Sequence, residues 1–298
     1  MINCALIGYG KWGKNIFQTL LRNKKININS ICKKNIKYFY IQKYKGEIFN
    51  SYKKAINNKI DAVFIATPAD THFKIVKYAL ENKKHVFVEK PVCLNNKNFK
   101  VLKQIARKNA LVFHVDYIHT FNQNLYELTK KFNNKKNNKD KVNIKISLGK
   151  NGPIRNKDFI LMDWGPHVFS IINFILNNNK YKTNNISILK NHKNNKINFL
   201  LKTKYKNFIV DAFFGNNFSR KITEISITQK KLKYVYKDKF LLIRNKILFN
   251  KKNYQTKTPL ENSIDQFVKY CKKNKYYHDY LNEKITKELE KIKIKLFN

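Results

Sequence analysis

The chain has 298 residues, enough for two domains of ordinary size or one large one, and its 43% hydrophobic and 14% aromatic content excludes disorder throughout. Its formal net charge is +43, from 62 Lys and Arg against 19 Asp and Glu. Such charge would suit a nucleic-acid binder, but only five of the cations are Arg (Arg22, Arg107, Arg155, Arg220, Arg244), the side chain best shaped for bidentate phosphate and base contacts.

The dispersed Lys, together with abundant Asn and Ile and scarce Gly and Pro, reads as A/T-rich codon usage displayed on solvated faces, so nucleic acid is not expected as a partner. Residues 2–8 form a short apolar run ending in Gly8, as in a strand covered on both faces. Trp12, Ile16, Phe17, Leu20 and Leu21 then recur at helical spacing up to Arg22. Strands are expected over Ile26–Cys32, Asp61–Ala66, His85–Val88 and Leu111–Val115, with helices over His72–Glu81 and Asn98–Arg107. This alternation predicts an α/β doubly wound parallel sheet over residues 1–117, and the glycine motif after its first strand makes that span a dinucleotide-binding Rossmann domain.

The pattern changes beyond that point. A helix over Gln123–Phe132 precedes a polar loop at 133–141, and Met162–Leu176 has helical spacing. Alternating segments from Ile186 to Phe249, among them Asn207–Phe214 and Lys221–Thr228, have no helices between them, which predicts an open, mostly antiparallel sheet. Two closing helices, Leu260–Lys272 and Leu281–Leu296, are expected to pack back on one of the domains, giving a second, α+β domain over 118–298. Cys4, Cys32, Cys93 and Cys271 show no C-x-x-C spacing, so no metal site or disulfide framework is expected. With no basic leader and no apolar stretch near the roughly 18 residues of a membrane span, the expected location is cytoplasmic and no membrane partner is expected.

Three of the eight glycines, Gly8, Gly10 and Gly13, form G-x-G-x-x-G directly after the first strand, with Lys11 and Trp12 between them. In that context the first glycine permits a tight turn, the second lets a pyrophosphate approach the backbone, and the third allows close helix–strand contact. The acid that usually binds the ribose hydroxyls is missing at the end of the second strand, where Lys33 and Lys34 stand instead. Either they meet a 2′-phosphate, which slightly favours NADP over NAD, or they are ordinary surface lysines. "IATPADTH" places Thr67, Pro68 and His72 at the carboxyl end of the next strand, where open α/β sheets bind ligands. "VFVEKPV" brings Glu89, Lys90 and Pro91 to the same rim. In "LMDWGPHVF", Asp163 and His167 are four residues apart, on one face of a helix, with Pro166 compatible with a first helical turn.

The sets "GYGKWG", "IATPADTHF", "HVFVEKPV" and "DWGPH" together resemble the Gfo/Idh/MocA oxidoreductases, strongly to about residue 120 and more loosely beyond. The resemblance implies an NAD(P)-dependent dehydrogenase or reductase acting on a CH–OH group of a sugar or nucleotide-sugar-like substrate. It also implies a cis Lys90–Pro91 bond and a homo-oligomer. Within it, Thr67 and Pro68 border the nicotinamide, Lys90 polarises the reacting oxygen, His167 exchanges its proton, and Asp163 binds substrate or orients the site. Tyr117, His119 and Asn122 line the substrate pocket or, as a strand-to-helix crossing, serve as packing and caps. The Arg often found there in the family is absent. A non-catalytic dinucleotide-binding sensor or scaffold is the alternative.

Overall fold

The computed structural model describes residues 1–35, 41, 44–135, 140–177, 182–190, 196–237, 240–243, 246–249, 257–273, 276–278 and 280–297. Contacts group these into two units. One comprises Met1–Asp116 with Leu260–Thr286, and the other Tyr117–Pro259 with Lys287–Asn298. The division therefore departs from two continuous spans, because the segment from Leu260 returns to the N-terminal unit.

In the first unit, strands β1 (Ile2–Ile7), β2 (Ile26–Cys32), β3 (Glu47–Phe49), β4 (Ala62–Ile65), β5 (His85–Glu89) and β6 (Val112–Asp116) alternate with helices α1 (Lys11–Arg22), α2 (Tyr52–Ala55), α3 (Ala69–Glu81) and α4 (Asn96–Lys108). The sheet order is β3-β2-β1-β4-β5-β6, and the short strand Tyr277–His278 is added beside β6. Every pairing is parallel. The chain starts in the middle and winds outward both ways, which makes β1 and β4 the neighbours at which the order reverses. Ala62, Val63, Phe64 and Ile65 of β4 are all buried, as strands covered on both faces require.

Two helices start earlier than their apolar spacing suggests. Asn95 caps α4, its side chain accepting from the Asn98 N–H at 2.8 Å. Helix α3 starts at Ala69, directly after Pro68, which places His72 in its first turn. The short pair β3 and α2 is a further addition to the expected elements.

The second unit is built on an eight-stranded sheet. Helix α5 (Gln123–Lys135) leads to β7 (Val142–Asn151), and α6 (Lys157–Ile175) precedes the strands β8 (Lys182–Lys190), β9 (Ile197–Tyr205), β10 (Phe208–Gly215), β11 (Asn217–Gln229), β12 (Leu232–Lys237), β13 (Phe240–Ile243) and β14 (Lys246–Phe249). The order is β14-β13-β12-β11-β7-β10-β9-β8, antiparallel except for the parallel β7–β10 pair. Strand β7, beyond the expected set, occupies the interior of this sheet. Its alternation is visible once sought, since Val142, Ile144, Ile146 and Leu148 are buried.

Helix α6 begins five residues before Met162, so Pro166 lies inside the helix and not in its first turn. The proline ring removes the N–H that the Met162 carbonyl would otherwise accept from. Gly165, beside it, is where the helix is closely approached, because a Cβ there would lie 2.5 Å from Leu289 Cδ2.

The returning helix Pro259–Lys272 is fastened to the first unit by an aromatic cluster. Phe267 is fully buried, 5.3 Å from Phe64 and 5.7 Å from Phe87 between ring centroids, with His114 at 6.1 Å. Truncating a buried Phe loses its transfer free energy and leaves a cavity. Phe267→Ala is therefore expected to destabilise the first unit by about 3–5 kcal/mol, read as an earlier denaturant midpoint. An unchanged midpoint would show that the helix is not part of that core.

Candidate functional site

The turn after β1 leaves almost no freedom in residue choice. Gly8 has φ +97°, and a Cβ there would lie 2.6 Å from the Ala66 carbonyl oxygen and 2.9 Å from Thr67 Cγ2. At Gly13 an added Cβ would be 2.0 Å from the Gly8 carbonyl oxygen. Gly10 is the opposite case, since nothing lies within 4 Å of the position its Cβ would take. Gly10 also stands at the N-cap of α1, with no side-chain cap and no acidic residue in the first turn. Exposed backbone N–H groups at a helix N-terminus, reached over a bare glycine, fit the pyrophosphate of a dinucleotide. Lys11 and Trp12 are exposed on the same turn.

At the end of β2, the Lys33 N–H donates to the Phe49 carbonyl at 2.9 Å, which ties that corner to β3. Lys33 is half-buried and Lys34 exposed, and the acid common at this corner is absent.

Thr67 and Pro68 follow β4 opposite Gly8. The Thr71 hydroxyl lies 2.7 Å from Thr67 Oγ1 and 2.6 Å from the Pro68 carbonyl oxygen, closing the turn on itself. His72 is 1% exposed. Its Nδ1 is 2.8 Å from the Pro91 carbonyl oxygen and its Nε2 is 2.7 Å from that of Thr67. Both ring nitrogens of this residue, expected at the cofactor, face backbone carbonyls, so the ring bridges the two loops. Burial lowers its pKa, and the two carbonyls oppose that shift by favouring the cation. The Lys90–Pro91 bond is cis.

Glu89 ends β5 and pairs in register with Asp116 at the end of β6. The Trp12 indole N–H donates to Glu89 Oε1, so the glycine turn is tied to the strand that carries Lys90. Burial, followed by the charge of Asp116, raises the Glu89 pKa well above the usual range, while burial pushes Asp116 up to about 6. Asp116 accepts at Oδ1 from the Ser263 hydroxyl at 2.8 Å, and His114 Nε2 lies 3.0 Å from Ser263 Oγ. Burial lowers the His114 pKa to about 3, which keeps the ring neutral. In sequence, Asp116 is distinguished only as one of 19 Asp and Glu residues. No sequence signal ties Ser263, on the returning helix, to it.

In the second unit, Asp163 and His167 lie one turn apart in the middle of α6, which excludes Asp163 as that helix's N-cap. The His167 ring packs edge-on against His119, centroids 4.9 Å apart, with Trp164 at 6.4 Å. The other two residues of the strand-to-helix crossing are held within this unit. Asn122 Oδ1 accepts from the Asn124 and Leu125 N–H groups at 2.9 and 3.1 Å, capping α5, and Asn122 Nδ2 donates to Tyr236 Oη at 3.2 Å. Tyr117 is 2% exposed. Asn122 thus serves as a cap and Tyr117 is buried, while His119 is set beside His167.

Among the described residues no three His, Cys, Asp or Glu side chains are grouped to hold a metal ion, and no helix is long and apolar enough to cross a membrane. All four cysteines are free and buried.

Residues 2–117 match the Gfo/Idh/MocA family model, described as an oxidoreductase family with an NAD-binding Rossmann fold. Among curated relatives, scyllo-inositol 2-dehydrogenase (NAD+) of Bacillus subtilis is 27% identical over 128 residues, covering 40% of this chain and 36% of that protein. The first such relatives are thus matched over about a third of their own length (36%). Over the whole chain the fold is that of solved dehydrogenases. The MviM dehydrogenase of Clostridium difficile has a TM-score of 0.85 at 20% identity, covering 99% of both chains. KijD10, a 3-ketoreductase from Actinomadura kijaniata in complex with TDP-benzene and NADP, has a TM-score of 0.79 at 14% identity, covering 97% of this chain and 96% of that one. Residues 2–117 thus match an NAD-binding Rossmann model of that family, and they are followed by a second, mostly antiparallel sheet.

The bridge made by His72 generates a test. His72→Ala removes the ring that faces the Pro91 and Thr67 carbonyls and opens a cavity, so a loss of about 2–5 kcal/mol is expected, measured by thermal or denaturant unfolding. A loss within 0.5 kcal/mol, about that of an ordinary surface change, would remove the bridge from the stability of these loops.

Proposed function

We propose that this chain, with its Gfo/Idh/MocA Rossmann domain, is an NAD(P)-dependent oxidoreductase acting on a hydroxyl or carbonyl carbon of a sugar-like or nucleotide-linked sugar substrate. The observation that carries this reading is the glycine turn at the point where strand order reverses. Gly8 and Gly13 have no room for a side chain, and Gly10 opens onto free space ahead of an uncapped helix. Gly8, Gly10, Lys11, Trp12 and Gly13 would hold the pyrophosphate side of the cofactor, with Thr67 and Pro68 at the nicotinamide side. When bound, the nicotinamide supplies or accepts the hydride.

The protein's own part is proton handling and orientation. Moving hydride from a carbinol carbon requires a base for the hydroxyl proton, and an imidazole titrates near working pH. His167 takes that role, with Asp163 one helical turn away orienting it or binding substrate. Lys90, at the end of β5, polarises the reacting oxygen. The sugar-like substrate is supported by what related proteins bind, an inositol in one and a TDP compound in another. The homo-oligomer remains a proposal by analogy with the family.

The test begins with titration of NADH and NADPH, then a screen of sugars and nucleotide sugars for cofactor turnover. His167→Asn is expected to lower turnover by about 100-fold or more and to leave cofactor affinity nearly unchanged. Full turnover in that variant would remove His167 from the mechanism. Cofactor binding with no turnover on any candidate would favour the sensor reading.

NADP preference rests on Lys33 and Lys34. With no carboxylate at the end of β2 to repel a 2′-phosphate, NADPH is expected to bind at least as well as NADH. The preference should be modest and salt-sensitive, since exposed ammonium groups are hydrated and screened. Lys33→Asp should reverse it by restoring the hydroxyl acceptor. A tenfold wild-type preference for NADH, about 1.4 kcal/mol, would show that other groups hold the ribose.

A further inference from the structure

Asp116 Oδ2 is buried and finds no N–H or hydroxyl donor among the described residues. Its neighbour is the carboxyl of Glu89, paired with it in register and in hydrogen-bond contact. Two carboxylates cannot share a hydrogen bond unless one carries a proton. The direction of the remaining bonds says which. Ser263 donates to Asp116 Oδ1, and the neutral His114 can donate from Nε2 to Ser263, so Asp116 is the terminal acceptor of that chain. Glu89 needs only one oxygen to accept from the Trp12 indole, leaving its other oxygen to carry the proton. The charged and titratable groups that face the pair are Lys90, on the same strand end, and His114, behind Ser263.

We infer that Glu89 and Asp116 share one proton, and that this proton locks the glycine turn, through Trp12, to the strand end that carries Lys90, with Asp116 and Ser263 as positioning residues. With one proton the pair carries a single negative charge, which the Lys90 ammonium can balance. Loss of the proton sets a half-buried carboxylate against a buried one, and Glu89 can no longer stay against both Asp116 and Trp12. The sign follows from linkage. Glu89 holds its proton more tightly in the folded chain than in the unfolded one, so this stabilisation is complete below the ordinary Glu pKa and is lost as pH rises through the raised one.

The chain has two tryptophans, so Trp164→Phe leaves Trp12 as the only indole. Emission of that protein, free of ligand, is expected to show a transition above the ordinary carboxylate range. Glu89→Gln, whose amide keeps both hydrogen bonds without a titrating proton, should abolish it. Asp116→Asn removes the like charge and should move the midpoint down by about one pH unit or more. Ser263→Ala removes a donor to the ionised Asp116 and should move it up. The opposite signs are what a purely structural role would not produce, and circular dichroism confirms folding of each variant. Should Asp116→Asn not fold, Ser263→Ala and Glu89→Gln still decide. A midpoint unmoved by them, or no transition at all, overturns the shared proton.

A second arm rests on the dinucleotide reading. NADH affinity in the Trp164→Phe protein should fall several-fold across the same midpoint and become flat in Glu89→Gln. Because the emission arm uses the protein alone, its failure is distinct from a failure to bind cofactor. Titration of Trp12 with no matching change in NADH affinity would overturn the positioning role.

Discussion

The approach of Gly8 to Ala66 is the constraint from which the N-terminal site follows. Strands β1 and β4 are neighbours at the point where sheet order reverses, so the turns that leave them must pass each other in close contact. With 2.6 Å between a hypothetical Cβ at Gly8 and the Ala66 carbonyl oxygen, only glycine can occupy the first turn. Gly13 then brings α1 down onto the Gly8 carbonyl, and the helix N-terminus is aimed along the crevice. Gly10 has no such packing reason. Its bareness is explained by a ligand that approaches the backbone, and that asymmetry among the three glycines separates a binding turn from an ordinary tight one.

Around this turn lies a layer of buried polar groups that hold the strand ends in place. His72 joins the loop after β4 to the loop after β5, and Trp12 joins the glycine turn to Glu89. Asp116 and Ser263 continue the layer to the returning helix. Each bond is modest by itself. Their value is geometric, because groups that meet a cofactor must be held to within a fraction of an ångström by partners that do not touch it. The return of the chain at Leu260 thus does more than cover apolar surface through Phe267. It delivers a hydroxyl to a buried carboxylate.

What was legible in sequence was local. G-x-G-x-x-G, the buried run of β4, and E-K-P at a strand end each fall within a dozen residues, and their meaning follows from one strand and one turn. The helical i, i+4 relation of Asp163 and His167 is equally local. Features that depend on partners distant in sequence were not legible. Ser263 lies 147 residues from Asp116, and nothing around it distinguishes it from any other small polar residue on a helix. His72 reads as a ring facing a ligand because its position beside Thr67 is visible, while the Pro91 carbonyl that holds its other nitrogen is not. Asn122 shows the same limit in reverse, since a polar residue before a helix can line a pocket or cap the helix, and only the N–H groups it accepts from decide. Strand β7 was obscured by the polar tract before it, although its own alternation is regular.

The net charge of +43 bears on this site less than its size suggests. Ion pairs such as Lys77–Glu81 at 3.3 Å join side chains that are 43% and 48% exposed, where water and salt leave a contribution of about 0–1 kcal/mol each. Most of the lysines therefore shape the field around the molecule and not its fold. Such a field speeds the arrival of an anionic dinucleotide and fades as salt rises. The carboxyls of Glu89 and Asp116 answer to different physics. Asp116 is buried and Glu89 half-buried, so bulk salt screens them less than it screens surface charges, and their charge state is set by burial and by each other. Ionic strength and pH therefore act on separate parts of this molecule. Salt changes how readily an anion is drawn in, whereas pH changes whether the turn that receives it is held to the strand end beside it.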